Sequence, residues 1–289
     1  MIKKTIMISA LLIFNKVYAH QVELNFSYEE PTLNHLLGQV DVQSANGKYL
    51  FKNLEERKEA PIKPISIEKI SQLGIGYAKA SGSNISDNIK RDLEITNLGL
   101  EAELFIPHSN FFITGSINQT KIDTSIAIKT PFNTFVHNQT NKTNGYAMEL
   151  GYIAIENLKL GLGVSQGNVD PFQVYDYGFT PVYKNAMLAD DETLKTLHAT
   201  YVTKLGKHDF SLQAKYYMGD EKTYYLNTDF YLDPSFKIGA SFFDSTAHDY
   251  DHIFSIHSQK FFSSFFGAGF RYTKTEDDHS YAINSTFRF

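Results

Sequence analysis

Tyr281-Ala282-Ile283-Asn284-Ser285-Thr286-Phe287-Arg288-Phe289 alternates residue by residue. Tyr281, Ile283, Ser285, Phe287 and Phe289 fall on one face, and Ala282, Asn284, Thr286 and Arg288 on the other. A period of two is that of a β-strand whose faces meet different surroundings. The same alternation marks about fourteen segments along the chain, this one included. They lie near 21–30, 38–52, 70–81, 91–106, 110–121, 144–156, 158–167, 194–205, 209–218, 223–232, 235–244, 252–262, 264–274 and 279–289. In the cleanest, one face is wholly apolar or aromatic: Leu98, Leu100, Ala102, Leu104 and Ile106, or Leu158, Leu160, Leu162 and Val164. Phe236, Ile238, Ala240 and Phe242 form another such face, with Gly, Ser, Gln and charged residues between such positions.

Residues 1–19 read as a secretory signal peptide. Lys3 and Lys4 form its basic start, Ile6 to Phe14 its apolar run, and Val17-Tyr18-Ala19 a cleavage site before His20. That run is too short to cross ~30 Å of hydrocarbon, and no later segment offers the ~20 apolar residues that a spanning helix needs. Lipid accepts only helices and closed barrels, because every backbone polar group must be satisfied internally. An exported chain built of alternating strands is therefore expected to be all-β. The expectation is a transmembrane up-and-down antiparallel β-barrel over residues 20–289, with about fourteen strands and with twelve or sixteen as neighbouring counts.

Composition fits this class. The chain holds 18 Tyr and 23 Phe, enough to furnish aromatic girdles at both membrane interfaces, although it has no Trp. Without Cys there is no disulfide framework, thiolate chemistry or cysteine metal site. A net charge of −5 argues against nucleic acid, which calls for a basic face. The Gly161/Gly163 pair lies inside a strand pattern, so no nucleotide motif is present, and no cofactor is expected.

Connector lengths point the same way. Residues 107–110, 156–157, 206–208, 233–235 and 263–264 are short turns, whereas 81–90, 121–143, 168–193 and 244–251 are longer. Short turns at one end and longer loops at the other are the habit of outer-membrane barrels, not of sandwiches. Residues 53–65, with Glu55, Glu56, Arg57, Lys58, Glu59, Pro61 and Pro64, form a charged connector. Asn46-Gly47 is a hairpin signal, and a turn there would change the strand count.

Two resemblances add to this reading. The strand Tyr281 to Phe289 resembles the C-terminal recognition signal of Gram-negative outer-membrane barrels, which implies an assembly role for Tyr281, Ile283, Phe287 and Phe289. The N-terminal order is an aromatic first strand, then a strand ending Tyr49-Leu50-Phe51. Ala60-Pro61-Ile62 follows, and Ser71 leads into Leu73-Gly74-Ile75-Gly76-Tyr77. This resembles the N-terminal part of the general bacterial porin family, with Pro64 where that family tends to have glutamate. The resemblance implies a passive diffusion channel in the outer membrane. Its partners would be outer-membrane lipids and lipopolysaccharide, the barrel-assembly machinery and small hydrophilic solutes. Whether the barrel forms a homo-oligomer is left open.

With the apolar faces outward, the lumen receives Glu101, Glu103 and Glu149 on one arc and Lys159, Lys215, Lys237, Arg271 and Arg288 on another. These eight are the candidate pore-lining residues, since a charge facing lipid costs ~2–4 kcal/mol. Opposed charges across a pore filter ions, while charges that pair with one another merely fill the interior. The loop at 168–193 carries Phe172, Tyr175, Tyr177, Phe179 and Tyr183 between Pro171 and Pro181, and either narrows the pore or caps the rim. Asp244, His248, Asp249, Asp251 and His252 form a polar cluster without a framework for catalysis. The chain is thus read as a non-enzymatic porin-like channel, with a substrate-specific channel or a filled structural barrel as alternatives. Deleting Phe289 should lower the amount of folded protein in the outer membrane at native expression, as measured by heat-modifiable migration on gels. Each backbone group left unpaired in lipid costs on the order of several kcal/mol.

Overall fold

The computed structural model describes residues 22–31, 40–51, 69–86, 88–167, 173, 176, 192–246, 252–276 and 279–289. Its strands are β1 (Val22–Pro31), β2 (Val40–Leu50), β3 (Gln72–Ser86), β4 (Ile89–Phe105), β5 (Phe111–Lys129), β6 (Thr134–Ile155) and β7 (Leu158–Gln166). They continue as β8 (Leu194–Leu205), β9 (His208–Met218), β10 (Lys222–Asp233), β11 (Phe236–Ser245), β12 (Ile253–Phe261), β13 (Phe266–Lys274) and β14 (His279–Arg288). Each pairs antiparallel with its sequence neighbours, and β1 pairs with β14 to close the sheet into a fourteen-stranded barrel. Val22 N–H donates to Phe289 O at 3.1 Å, and Phe289 N–H donates to Val22 O at 2.9 Å, so the seam extends one residue past β14. The expected all-β, up-and-down antiparallel barrel is the fold observed.

Burial is inverted relative to a soluble protein. Leu73, Ile75, Leu100, Leu150, Leu162 and Ile283 point outward and are exposed, Leu162 by 64% and Ile283 by 61%. Apolar area left in water forfeits ~25 cal/mol per Å², a loss that hydrocarbon around the barrel removes. Inside, Asn25, Asn46, Asn97, Asn118, Thr120 and Thr286 are buried. They bond across strands: Asn25 Nδ2 donates to Asn46 Oδ1 at 2.9 Å, Thr286 Oγ1 to Asn25 Oδ1 at 2.8 Å, and Asn97 Nδ2 to Thr120 Oγ1 at 2.8 Å. Outward aromatics pair toward both ends, with Tyr49–Phe51 and Phe111–Tyr152 at the short-turn end and Tyr216–Tyr224 and Tyr272–Tyr281 at the other. Of the four closing-strand residues, Tyr281 and Ile283 are exposed outward, while Phe287 and Phe289 are half-buried. Phe287 packs against Phe26 of β1 across the seam that joins first strand to last, and against Phe266 of β13 on its other side.

Three readings of the sequence need adjustment. Asn46-Gly47 makes no hairpin: β2 runs through it, with Asn46 opposite Asn25 and Gly47 opposite Leu24. The pairing of β2 on both sides overrides the local turn preference. Residues 81–90 and 121–143, read as loops, are mostly strand. β3 and β4 pair as far as Ser86↔Ile89, and β5 and β6 as far as Lys129↔Thr134. β5 has 19 residues and β6 has 22, about double the ~9–11 that a tilted membrane strand needs. Here both faces meet water, so the apolar–polar alternation fades while the hydrogen-bonded ladder continues. The signal-peptide residues, residues 53–65 and most of 168–193 lie outside the described residues. Replacing residues 123–140 with a two-residue Asn-Gly turn should leave the barrel intact. Unchanged heat-modifiable migration and β-type circular dichroism would show it.

Candidate pore lining

An interior cavity of about 500 Å³ lies within the barrel. All eight candidate residues, Glu101, Glu103, Glu149, Lys159, Lys215, Lys237, Arg271 and Arg288, line it. Each occupies the strand face opposite the lipid-facing side chains, so the alternation that makes the outside apolar also delivers these charges inward.

The charges do not stand on separate arcs as isolated sets, and this corrects the picture of opposed charges. Lys159 Nζ donates to Glu103 Oε2, and Lys48 Nζ meets Glu101 Oε1 at 3.1 Å. Arg288 Nε donates to Glu23 Oε2 at 2.7 Å across the β1–β14 seam, and Lys237 Nζ to Asp229 Oδ2 at 3.3 Å. In a partly desolvated lumen an unpaired charge is costly, so each carboxylate draws a cation from a strand within reach. Lys159 also lies 4.1 Å from the centroid of Phe112, a fully buried ring that packs over Gly151.

Two carboxylate–imidazole contacts span an intervening strand, and glycine makes both of them. His257 Nε2 on β12 donates to Asp229 Oδ1 on β10 at 2.8 Å, passing over Gly239 of β11. His198 on β8 donates through Nδ1 to Glu149 Oε1 on β6 at 3.2 Å, passing over Gly161 of β7. The Gln213 amide donates to His198 Nε2 at 3.2 Å, which fixes the proton on Nδ1. A Cβ on Gly239 would collide with His257 Nε2 and with the Thr228 carbonyl; one on Gly161 would collide with the Glu149 carboxyl.

From the long segment after β7, Gln173 and Asp176 line the cavity. Gly167 ends β7 with φ 54°, a left-handed turn that glycine adopts without strain. Asp176 lies close enough to act electrostatically on both Lys48 and Lys237. At these two residues the segment faces the lumen rather than the outer rim. Glu23, Lys48, Asp176, His198, Asp229 and His257 are the charged or imidazole-bearing lining residues that the candidate set lacked. Asp229 and Lys48 could have been found from strand parity, since Phe230 and Tyr49 beside them face outward. Asp176 carries no periodic signal. At the opposite end from the short turns, His252 Nδ1 lies 2.9 Å from Asp244 Oδ1, while residues 248, 249 and 251 lie outside the described residues.

Substituting Gly239 by Ala should push His257 off Asp229 and crowd the Thr228 carbonyl. It should destabilise the barrel by about 1–3 kcal/mol, read from urea unfolding in detergent.

No family model matches the chain, and no curated protein matches it. Among solved structures, the outer membrane protein Omp33 of Acinetobacter baumannii aligns with a TM-score of 0.64 and 19% identity, over 95% of this chain and 100% of that one. A FadL homologue of Pseudomonas aeruginosa aligns with a TM-score of 0.52 and 8% identity, over 93% of this chain and 89% of that one. A mutant of the Rh. blastica porin reaches 0.43 at 8% identity, over 93% and 98%, too distant to bear on the argument. At such identities the likeness is one of fold. The chain has the closed fourteen-stranded architecture of an outer-membrane barrel, the fold that its porin-like sequence features imply.

Proposed function

We propose that the protein is an outer-membrane channel through which small hydrophilic solutes and ions diffuse passively. The observation that carries this reading is the charged, hydrogen-bonding cavity inside a lipid-facing barrel. A barrel serving only as a scaffold can fill its interior with apolar side chains. This one surrounds a cavity with carboxylates, ammonium groups and imidazoles from both halves of the sheet. Mechanism then means pore width and lining charge rather than chemistry. Asp176 and Gln173 reduce the width, and the ion pairs fix the wall charges so that a passing solute meets an ordered field. On this reading the protein is not an enzyme, and general diffusion rather than a single substrate is favoured by the near balance of acidic and basic lining groups.

Refolded protein in a planar bilayer should conduct, and replacing Lys215 and Arg271 together with Gln should shift selectivity toward cations. Reversal potentials in a salt gradient measure the shift. Two positive charges removed from a desolvated lumen should change the cation-to-anion permeability ratio by roughly 3- to 10-fold. A wild type that inserts and never conducts would point instead to the filled, structural barrel.

A further inference from the structure

Two imidazoles stand in the wall of the bore in the same setting. On β10–β13 one hydrogen-bonded row reads Asp229, Gly239, His257 and Arg271 across four consecutive strands. On β6–β9 the same order of chemistry recurs: Gly161, His198 and Lys215 share a row, and Glu149 reaches His198 from β6. Each imidazole therefore has a carboxylate on one side, beyond a glycine, and a lysine or arginine directly opposite on the other. Both rings line the cavity, as do Glu149, Asp229, Lys215 and Arg271.

The charges acting on His198 are Glu149 on β6, Lys159 on β7 and Lys215 on β9. Those acting on His257 are Asp229 on β10, Lys237 on β11 and Arg271 on β13. Carboxylate, ammonium and guanidinium groups ordinarily keep their charge through the neutral range, whereas imidazole gains one as the solution turns acid. Among the described residues, six carboxylates and six lysines or arginines line the cavity, so its permanent charges cancel. The two imidazoles are then the groups that tip the balance.

The hydrogen bonds show where each proton enters. His257 already donates through Nε2 to Asp229 Oδ1 at 2.8 Å, so the added proton goes to Nδ1. His198 already donates through Nδ1 to Glu149, so its added proton goes to Nε2. There Thr200 Oγ1 lies at 3.0 Å and can accept it, while the Gln213 amide at 3.2 Å must turn its carbonyl oxygen toward the ring. Each carboxylate then faces an imidazolium without leaving its place, so the wall changes charge and keeps its shape.

We propose that His198 and His257 are the specificity-determining residues of the bore. Neutral, they leave it charge-balanced and weakly selective; protonated together, they give it a surplus of positive charge and a preference for small anions. A surplus of one sign in a narrow, partly desolvated passage raises the local concentration of the opposite sign. The inference rests on the channel reading and adds to it that the class of solute admitted depends on pH.

The test is the reversal potential of single barrels refolded into planar bilayers under a salt gradient, recorded at pH 8 and at about pH 4.5, below the ordinary imidazole range. The anion-to-cation permeability ratio of wild type should rise on acidification by roughly 3- to 10-fold, the effect of two added charges in such a lumen. Carboxylates that lose charge in acid would move the ratio the same way, so the variant His198→Gln/His257→Gln decides between them. Glutamine keeps a donor toward each carboxylate and takes up no proton. The double variant should lose most of the rise, and His198→Gln or His257→Gln alone should lose part of it. Should the double variant fail to fold, the single variants decide. A wild type that conducts with an unchanged ratio overturns this inference alone, as do histidine variants that respond to acid like wild type. A wild type that inserts and conducts at neither pH overturns the channel reading with it.

Discussion

Everything in this molecule depends on the pairing of β1 with β14. A sheet surrounded by hydrocarbon has no water to satisfy an open edge, and each unpaired N–H or C=O would cost several kcal/mol. Closure through Glu23↔Arg288 to Pro31↔Ser280 removes both edges at once. The seam is reinforced from both sides. Outside, Phe26, Phe287 and Phe266 pack in sequence; inside, Arg288 binds Glu23, Thr286 binds Asn25 and Ser280 binds Glu29. A seam that carries an ion pair and two hydroxyl donors is specific in register, because slipping by one residue would turn every polar partner toward lipid.

Once the sheet is closed, the interior becomes the only place for charge. The lumen then faces the ordinary problem of a desolvated polar region, in which an unmatched group is expensive and a matched one is rigid. The solution repeats. A carboxylate meets a cation on a nearby strand, and where an imidazole lies two strands away, a glycine on the strand between clears the path. Gly239 and Gly161 are explained by this and not by turns, since both lie inside strands with partners on each side. The wall that results is fixed in charge and geometry.

Outside the membrane the same strands follow a different logic. β5 and β6 continue as a ladder whose faces both meet water, so backbone pairing and short polar side chains hold it together rather than an apolar face. Lys121 bonds Asp123, and Thr140 Oγ1 donates to Asp123 Oδ1 at 2.6 Å. Those bonds support the ladder beyond the lipid-facing band.

The strand class, the count near fourteen and the orientation of side chains were legible in the amino-acid sequence, because lipid on one side and a polar lumen on the other impose a period of two. Leu98 to Ile106 and Phe236 to Phe242 show it without ambiguity. The eight charged lining residues followed from the same parity. What parity does not carry is the relation between strands. That Glu103 meets Lys159 and that Glu149 crosses Gly161 to reach His198 depend on register. Register is set by the whole closed ladder. The extensions of β3–β6 were hidden for a related reason: where water bathes both faces, the pattern loses its contrast. Asn46-Gly47 misled because a local turn preference is weaker than a strand paired on both sides. The sequence by itself determined which way each side chain points; only the closed tertiary structure decided what it meets, because partners come from strands whose alignment no single segment encodes.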